Sequence, residues 1–170
     1  MIILSLGSNL PSKFGDKFDN LTFAISFLEA KGILIERKSS FYETFSYPDK
    51  NNPKFINMVI SIKTDLSAMN LMSVLINIEE RLQRIRDKKN DPRTCDIDII
   101  DYNNEIVNFK FGNLNLTLPH KKLTLRNFVL FPLQEILPNW KHPITNEIIN
   151  TLIQKLPEED RKSILKVKKN

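Results

Sequence analysis

Cysteine is nearly absent from this chain of 170 residues, which contains Cys95 alone and only two histidines. One cysteine cannot form a disulfide within the chain, and so few soft ligands argue against a structural zinc site. The four glycines do not form either of the glycine-rich phosphate-binding motifs. If the protein binds phosphates, it must therefore use metal ions and cationic side chains.

Two further patterns are missing, a membrane span and a signal peptide. No apolar run approaches the roughly 20 residues that a transmembrane helix needs. The first residues also lack the charged and apolar regions of a secretory signal. We therefore expect a cytoplasmic protein that does not bind membranes.

The overall composition is that of a folded domain. Hydrophobic residues make up 41% of the chain and charged residues 26%, with a formal net charge of +5. These fractions are close to the globular average, and the length fits one domain. We expect a single domain over 1–160, followed by a basic, frayed tail over 161–170. Cys95 is expected to pack as a small core residue.

The spacing of apolar residues predicts six elements in the order β-α-β-β-α-β. They are a strand at 2–6, a helix from about 16 to 31, strands at 33–42 and 55–62, a helix capped by Ser67, and a strand at 95–102. This order is typical of the ferredoxin-like α+β fold, which has an antiparallel sheet. We further expect a β-rich excursion near 105–118 and helices near 127–136 and 146–155.

The most informative local pattern is the pair Asp96 and Asp98 within the last of these strands. Residues two apart in a strand share a face, which puts their Cα atoms about 6.5–7 Å apart. At that distance two carboxylates repel by roughly 2 kcal/mol near a protein surface. Convergent carboxylates are usual partners of hard cations such as Mg²⁺. The alternative is a pair of solvated carboxylates on an exposed face.

Five cations lie within ten residues of one another just before this pair, and they are Arg84, Arg86, Lys88, Lys89 and Arg93. Cations and carboxylates that converge from a helix end, a loop and a strand suit a Mg²⁺–polyphosphate ligand. A solvated basic turn that merely pairs with the acids is the alternative. Glu79 precedes them on the predicted helix, and it orients an arginine, contacts the ligand or is an ordinary boundary charge.

A second candidate surface lies on the strand at 55–62. Phe55 and Asn57 share the face opposite Ile56 and Met58. An aromatic ring beside an amide, which both donates and accepts, suits a flat heterocycle. The alternative is an edge aromatic that packs under the proline-containing loop 45–54. His120, which follows a proline, is either a turn residue or a further ligand contact.

Five segments in order resemble 6-hydroxymethyl-7,8-dihydropterin pyrophosphokinases of folate biosynthesis. They are LSLGSNL at 4–10, SSFYET at 39–44, FIN at 55–57, PRTCDIDII at 92–100 and LTLPHKKLTLRNFVLFPLQEI at 116–136. The resemblance implies a ferredoxin-like fold. It also implies transfer of the β,γ-pyrophosphoryl group of ATP to the pterin hydroxymethyl oxygen, with release of AMP.

The resemblance also implies the roles of individual residues. Asp96 and Asp98 would hold two Mg²⁺ ions. The catalytic arginines would be Arg84 and Arg93, and the ATP site would comprise Glu79, Arg84, Arg93, Ile99, Thr117, His120 and Arg126. The pterin would stack between Phe55 and Phe128, and Asn57 and the Thr44 backbone would contact its edge.

Two other functions stay open at this point. A basic ferredoxin-like RNA-binding module agrees with the net charge, but no stretch fits the aromatic RNA-binding pattern of that fold. A non-catalytic nucleotide-binding homologue is the other alternative, and retention of Asp96, Asp98, Arg93 and His120 argues against it. We expect a monomer whose partners are ATP and the pterin, not nucleic acid.

Overall fold

The computed structural model describes residues 1–84, 91–111 and 114–169. Its strands are β1 (Ile2–Ser8), β2 (Leu34–Lys38), β3 (Phe41–Thr44), β4 (Phe55–Lys63), β5 (Asp96–Tyr102), β6 (Val107–Phe111), β7 (Leu114–Leu118) and β8 (Leu165–Val167). Its α-helices are α1 (Lys17–Ala30), α2 (Ala68–Arg81), α3 (Asn127–Ile136), α4 (Ile149–Lys155) and α5 (Glu158–Lys162). A 3₁₀ turn covers Leu123–Leu125.

The main sheet is antiparallel and confirms the ferredoxin-like prediction. Its strand order is β5-β1-β4-β3-β8, and β2 also pairs with β4. β1 and β4 lie at the centre, with Leu4 opposite Ile60 and Gly7 opposite Asn57. The excursion that was predicted near 105–118 is a separate hairpin of β6 and β7.

Helices cover both faces of this sheet, because side chains on both faces of the central strands are apolar. Leu4, Leu6 and Ile60 pack with α1 and α2 in one core. Ile3 and Val59 pack with α3 and α4 in a second core. The result is a three-layer arrangement in which the strand ends carry the polar side chains that are described below.

The two predicted helix starts are confirmed by their capping bonds. Asp16 accepts the amides of Phe18 and Asp19, and the Asp19 side chain accepts the Asp16 amide, which completes a capping box. Ser67 accepts the amide of Asn70. Such caps satisfy amides that have no partner inside the helix. The apolar spacing that predicts α2 runs from Leu71 to residue 85, and residue 85 lies outside the described residues.

Two predicted boundaries are wrong. The strand that was predicted at 33–42 is divided into β2 and β3, because the Ser39 hydroxyl accepts the Val59 amide in place of a backbone carbonyl. The helix that was predicted at 146–155 begins at Ile149. The preceding residues form a turn instead, in which Asn146 has a φ of 56°.

The prediction of a frayed tail over 161–170 is also wrong for residues 165–167. They form β8, which pairs with β3 and places Leu165 opposite Glu43. The Lys166 ammonium lies 3.0 Å from a Glu135 carboxylate oxygen. Long-range pairing therefore orders a basic segment whose local sequence favours disorder. In the described part of the chain, no helix is long and apolar enough to cross a membrane.

Candidate active site

The two aspartates lie side by side at one edge of the central sheet. β5 pairs with β1 so that Asp96 is opposite Gly7 and Asp98 is opposite Ser5. Both side chains are partly exposed and line a cavity of about 940 Å³. The intervening Ile97 is buried in the first core. The predicted shared face is therefore confirmed, and it opens into a cavity.

Three guanidinium groups neutralise this pair. Arg84 Nη1 lies 2.7 Å from Asp96 Oδ1, and Arg93 Nε lies 3.2 Å from Asp96 Oδ2. Arg126 Nη1 donates to Asp98 Oδ2 at 2.8 Å. The arginines come from the end of α2, the segment before β5 and the start of α3. Together they offset the repulsion between the two carboxylates. Arg86, Lys88 and Lys89 of the predicted basic cluster lie outside the described residues.

Glu79 of α2 holds Arg84 in place through a buried ion pair. Its side chain is 3% exposed, forms an ion pair with Arg84 and accepts the Ile97 amide at 2.8 Å. Burial alone would lower the pKa of Arg84, but the charges of Asp96 and Glu79 outweigh it and raise that pKa. Glu79 is not among the residues that line the cavity. Of the readings left open by the sequence, orientation of an arginine fits this placement.

The backbone of Arg93 is held by the turn after β1. The Asn9 side-chain oxygen accepts the Arg93 backbone amide at 2.6 Å, and the Asn9 backbone amide donates to the Arg93 carbonyl at 3.0 Å. Asn9 is 2% exposed. The glycine and serine before Asn9 mark the end of a strand in the sequence, and they give no signal that Asn9 also holds the Arg93 backbone.

The four residues that were assigned to a flat heterocycle line the same cavity, and they are Thr44, Phe55, Asn57 and Phe128. The buried Asn57 amide donates to the Thr44 hydroxyl at 3.0 Å, which fixes its orientation. Its Oδ1 would lie only 3.2 Å from a Cβ added at Gly7. A glycine at this position therefore keeps the floor of the cavity open beside the amide.

Each of the two aromatic rings lies under an arginine. The Arg93 guanidinium carbon is 5.2 Å from the centre of the Phe55 ring. That of Arg126 is 5.4 Å from the centre of the Phe128 ring. Because these arginines also pair with Asp96 and Asp98, the aromatic and acidic parts of the cavity adjoin.

His120 lies beside the aspartates but is not one of the cavity-lining residues. Its Nε2 is 3.9 Å from Asp98 Oδ2, and its Nδ1 accepts the Lys122 amide at 3.1 Å. Burial lowers the pKa of His120, although the charge of Asp98 opposes that shift. The ring is therefore held neutral near the carboxylates at pH 7.

The remaining two predicted ATP-site residues lie away from the cavity. Thr117 on β7 is half-buried and donates to Asn108 at 3.4 Å. The Ile99 side chain is 5% exposed and packs in the first core. Only the backbone of Ile99 is therefore left to contact a ligand. Strand alternation could have indicated that the Ile99 side chain points away from the cavity, since it follows Asp98 directly and successive residues of a strand face opposite sides.

The acidic pair has the chemistry of a magnesium site. Among the described residues there is no group of three or more His, Cys, Asp or Glu side chains that could enclose a metal. Two carboxylates on one open face instead suit Mg²⁺, which takes oxygen ligands and keeps positions for water and phosphate. The residues present therefore fit such an ion.

Several cavity-lining residues were not predicted from the sequence. Some belong to loop 45–54, to the segment before α3 and to the first residue of α3, and they are Tyr47, Lys50, Lys122, Leu125 and Asn127. Others belong to α5 and the residue after it, and they are Glu159, Asp160, Lys162 and Ser163. Lys122, Leu125 and Asn127 lie within the segment 116–136 that carries the resemblance, but no local pattern assigned them to the site. The three-dimensional arrangement identifies all of these residues.

Comparison with known proteins gives a consistent result. The sequence model of the family described as 7,8-dihydro-6-hydroxymethylpterin-pyrophosphokinase matches residues 3–138. The 2-amino-4-hydroxy-6-hydroxymethyldihydropteridine pyrophosphokinase of Synechocystis sp. is 36% identical over 155 residues, which cover 91% of this chain and 75% of that protein. The folic acid synthesis protein fol1 of Schizosaccharomyces pombe is also 36% identical, over 92% of this chain but 20% of its own length.

Solved structures agree on the fold. The wild-type HPPK-DHPS of Plasmodium falciparum superimposes with a TM-score of 0.73 at 19% sequence identity. The superposition covers 91% of this chain and 44% of that one. The chain thus spans most of the length of single pyrophosphokinases and a smaller part of the longer folate-synthesis proteins.

Proposed function

Because the chain belongs to the 7,8-dihydro-6-hydroxymethylpterin-pyrophosphokinase family, we propose that it transfers the β,γ-pyrophosphoryl group of ATP to 6-hydroxymethyl-7,8-dihydropterin. The products are AMP and the pterin pyrophosphate, an intermediate of folate synthesis. One observation carries the proposal. The cavity joins the acidic pair and two of its arginines, Arg93 and Arg126, to two aromatic rings and a buried amide, while Arg84 pairs with Asp96 without lining the cavity. A polyphosphate and a flat heterocycle need these two surfaces.

Asp96 and Asp98 are the proposed ligands of the two Mg²⁺ ions. When bound, the ions would neutralise charge on the ATP phosphates and increase the acidity of the attacking hydroxyl. Arg84 and Arg93, which already lie at Asp96, would contact the transferring phosphates. A guanidinium group offers several donors in a fixed plane and suits developing phosphate charge.

The rest of the ATP site is proposed around Asp98. Arg126 is paired with Asp98, and His120 lies 3.9 Å from it, so both are in reach of phosphates that share its metal ion. Thr117 and the Ile99 backbone are proposed to contact the adenosine. Glu79 is proposed to act through Arg84, since it is buried behind that arginine.

Phe55 and Phe128 are proposed to stack on the two faces of the pterin. Offset stacking with an aromatic side chain adds about 0.5–1.5 kcal/mol beyond the burial of apolar area. The Asn57 amide and the Thr44 backbone are proposed to bind the edge of the ring. Catalysis then consists of holding the hydroxymethyl oxygen in line with the β-phosphorus and stabilising the charge that develops.

Two broader proposals concern the protein as a whole. We propose that the pyrophosphokinase domain extends beyond the predicted boundary at residue 160, because β8 is part of its main sheet, and that the protein acts in the cytoplasm and as a monomer. Size-exclusion chromatography with light scattering tests for the monomer, and a dimer at micromolar concentration would contradict it.

The test of the reaction is AMP formation from ATP and Mg²⁺, with and without 6-hydroxymethyl-7,8-dihydropterin. We expect pterin-dependent AMP without ADP or free pyrophosphate. ADP or free pyrophosphate as the product would mean a different transfer or simple hydrolysis. Binding of Mg²⁺–ATP without turnover would indicate a non-catalytic homologue. Salt-dependent binding of RNA without turnover would indicate the RNA-binding module.

A further inference from the structure

The cavity has a wall that the family match does not include. The match ends at residue 138, whereas residues 158–163, which we call the C-terminal wall, contribute four cavity-lining side chains. They are Glu159, Asp160, Lys162 and Ser163. The family model therefore assigns no residue of this wall a place in its pattern.

The C-terminal wall is anchored at both ends. Before it, Leu156 is 4% exposed and packs in the second core. After it, β8 pairs with β3 and sets Leu165 opposite Glu43, next to the cavity residue Thr44. The wall therefore runs from the core under α3 and α4 to the edge of the sheet, and its position depends on contacts along that path.

One side chain connects the middle of this wall to the proposed pterin site. Asn127 Nδ2 donates to the Asp160 carbonyl at 2.7 Å and lies 3.3 Å from the Ser163 hydroxyl oxygen. Asn127 Oδ1 accepts the Phe128 amide at 2.7 Å, one of the amides that the first turn of α3 leaves without a partner. The same amide group therefore holds both the wall and the backbone of Phe128.

Across the cavity, the wall also touches loop 45–54. The Lys50 ammonium lies 2.7 Å from a Glu159 carboxylate oxygen. Both side chains are well exposed, and an exposed ion pair adds little to stability. The anchor at Asn127 is therefore the stronger constraint on the wall.

We propose that Asn127 is a positioning residue that aligns Phe128 with the C-terminal wall, and that this alignment shapes the part of the cavity that binds the flat heterocycle. The inference rests on the proposed function, since it concerns how that site selects its pterin. The Asn127 side-chain hydrogen bonds described above go to Asp160, Ser163 and Phe128, and not to the acidic pair or its arginines. Its loss is therefore expected to affect the pterin more than ATP.

Asn127→Asp is the most informative variant, because it keeps the shape of the side chain. The remaining oxygen still accepts the Phe128 amide, but the donor to the Asp160 carbonyl is replaced by an oxygen that repels it. Loss of one such bond, with an unpaired acceptor, corresponds to about a tenfold change in affinity. Asn150→Asp is the matched control, since Asn150 is exposed on α4.

The experiment compares the wild-type chain, Asn127→Asp and Asn150→Asp in the AMP assay, together with hydrogen exchange of the wall. We expect KM for the pterin to rise about tenfold in Asn127→Asp, while KM for ATP and kcat stay within about twofold. The amides of Arg161 and Ser163, which bond within the wall, should exchange faster. The Asn150→Asp variant should match the wild type in all of these quantities.

Three outcomes would overturn the inference. They are an unchanged pterin KM with a lower melting temperature, equal changes in the KM values of both substrates, and wall exchange identical to the wild type. If Asn127→Asp does not fold, Ser163→Ala must raise the pterin KM in the same direction, by about two- to threefold. A wild-type chain that forms no pterin-dependent AMP would instead refute the proposed function.

Discussion

Replacing Glu79 with glutamine tests whether this residue holds Arg84 in place or contacts ATP itself. Removing one partner of a buried ion pair costs about 3–5 kcal/mol when the other charge is left unpaired. Arg84 retains Asp96 at 2.7 Å, and glutamine still accepts the Ile97 amide. We therefore expect a smaller loss, about 2 kcal/mol in the free energy of unfolding.

The assay combines urea denaturation with the kinetics of AMP formation. Glu80→Gln is the matched control, because Glu80 is the exposed neighbour on the same helix. It should change the free energy of unfolding by less than about 0.5 kcal/mol. In Glu79→Gln, KM for ATP should rise by about tenfold, since Arg84 is no longer held toward the phosphates.

Two results would refute this reasoning. If Glu79→Gln is as stable as Glu80→Gln, Glu79 does not compensate the buried charge of Arg84. If KM for ATP falls while kcat is kept, Glu79 repels the bound phosphates directly, and removal of its charge relieves that repulsion. Either result would reassign Glu79 from a positioning residue to another role.

Three further outcomes are expected. Asp98→Asn should lower kcat by at least about a hundredfold, and an active Asp98→Asn enzyme would contradict the metal assignment. Asp65→Asn is the exposed control and should leave kcat unchanged. Phe128→Ala should raise KM for the pterin by about tenfold and leave that for ATP within about twofold; equal losses would count against stacking. The His142 Nδ1 accepts two backbone amides, and burial lowers the pKa of His142. The unfolded chain therefore binds this proton at a higher pH than the folded chain, so the free energy of unfolding should fall as the pH drops below about 6.5. His142→Asn keeps an acceptor and should flatten that dependence in urea denaturation between pH 7 and 5.5; parallel curves for both proteins would show that another group is responsible.

The core of the fold could be predicted because its signals are local. Apolar spacing defined β1, β4 and both helices, and it placed the start of α1 near residue 16. The Ser67 side chain marked the start of α2. β8 could not be predicted in this way. This three-residue strand forms through its pairing with β3, more than 120 residues earlier in the chain, and not through a local signal.

The difference between local and long-range signals also explains which residues of the site could be predicted. Asp96 and Asp98 share a face through strand alternation alone, so the sequence placed them together. The burial of Glu79 depends on Arg84 and on the Ile97 amide, and no local pattern reports it. Asn9 likewise acts on a backbone 84 residues away.

The three arginines at the acidic pair also have a thermodynamic consequence. Arg84, Arg93 and Arg126 serve as counterions of Asp96, Asp98 and Glu79, so three positive charges already meet three negative charges before a ligand binds. A divalent cation that arrives alone must compete with these groups for the carboxylates. When it arrives with a triphosphate, each displaced guanidinium gains a new anionic partner. We therefore expect cation and nucleotide to bind cooperatively, each weakly by itself and tightly as a complex.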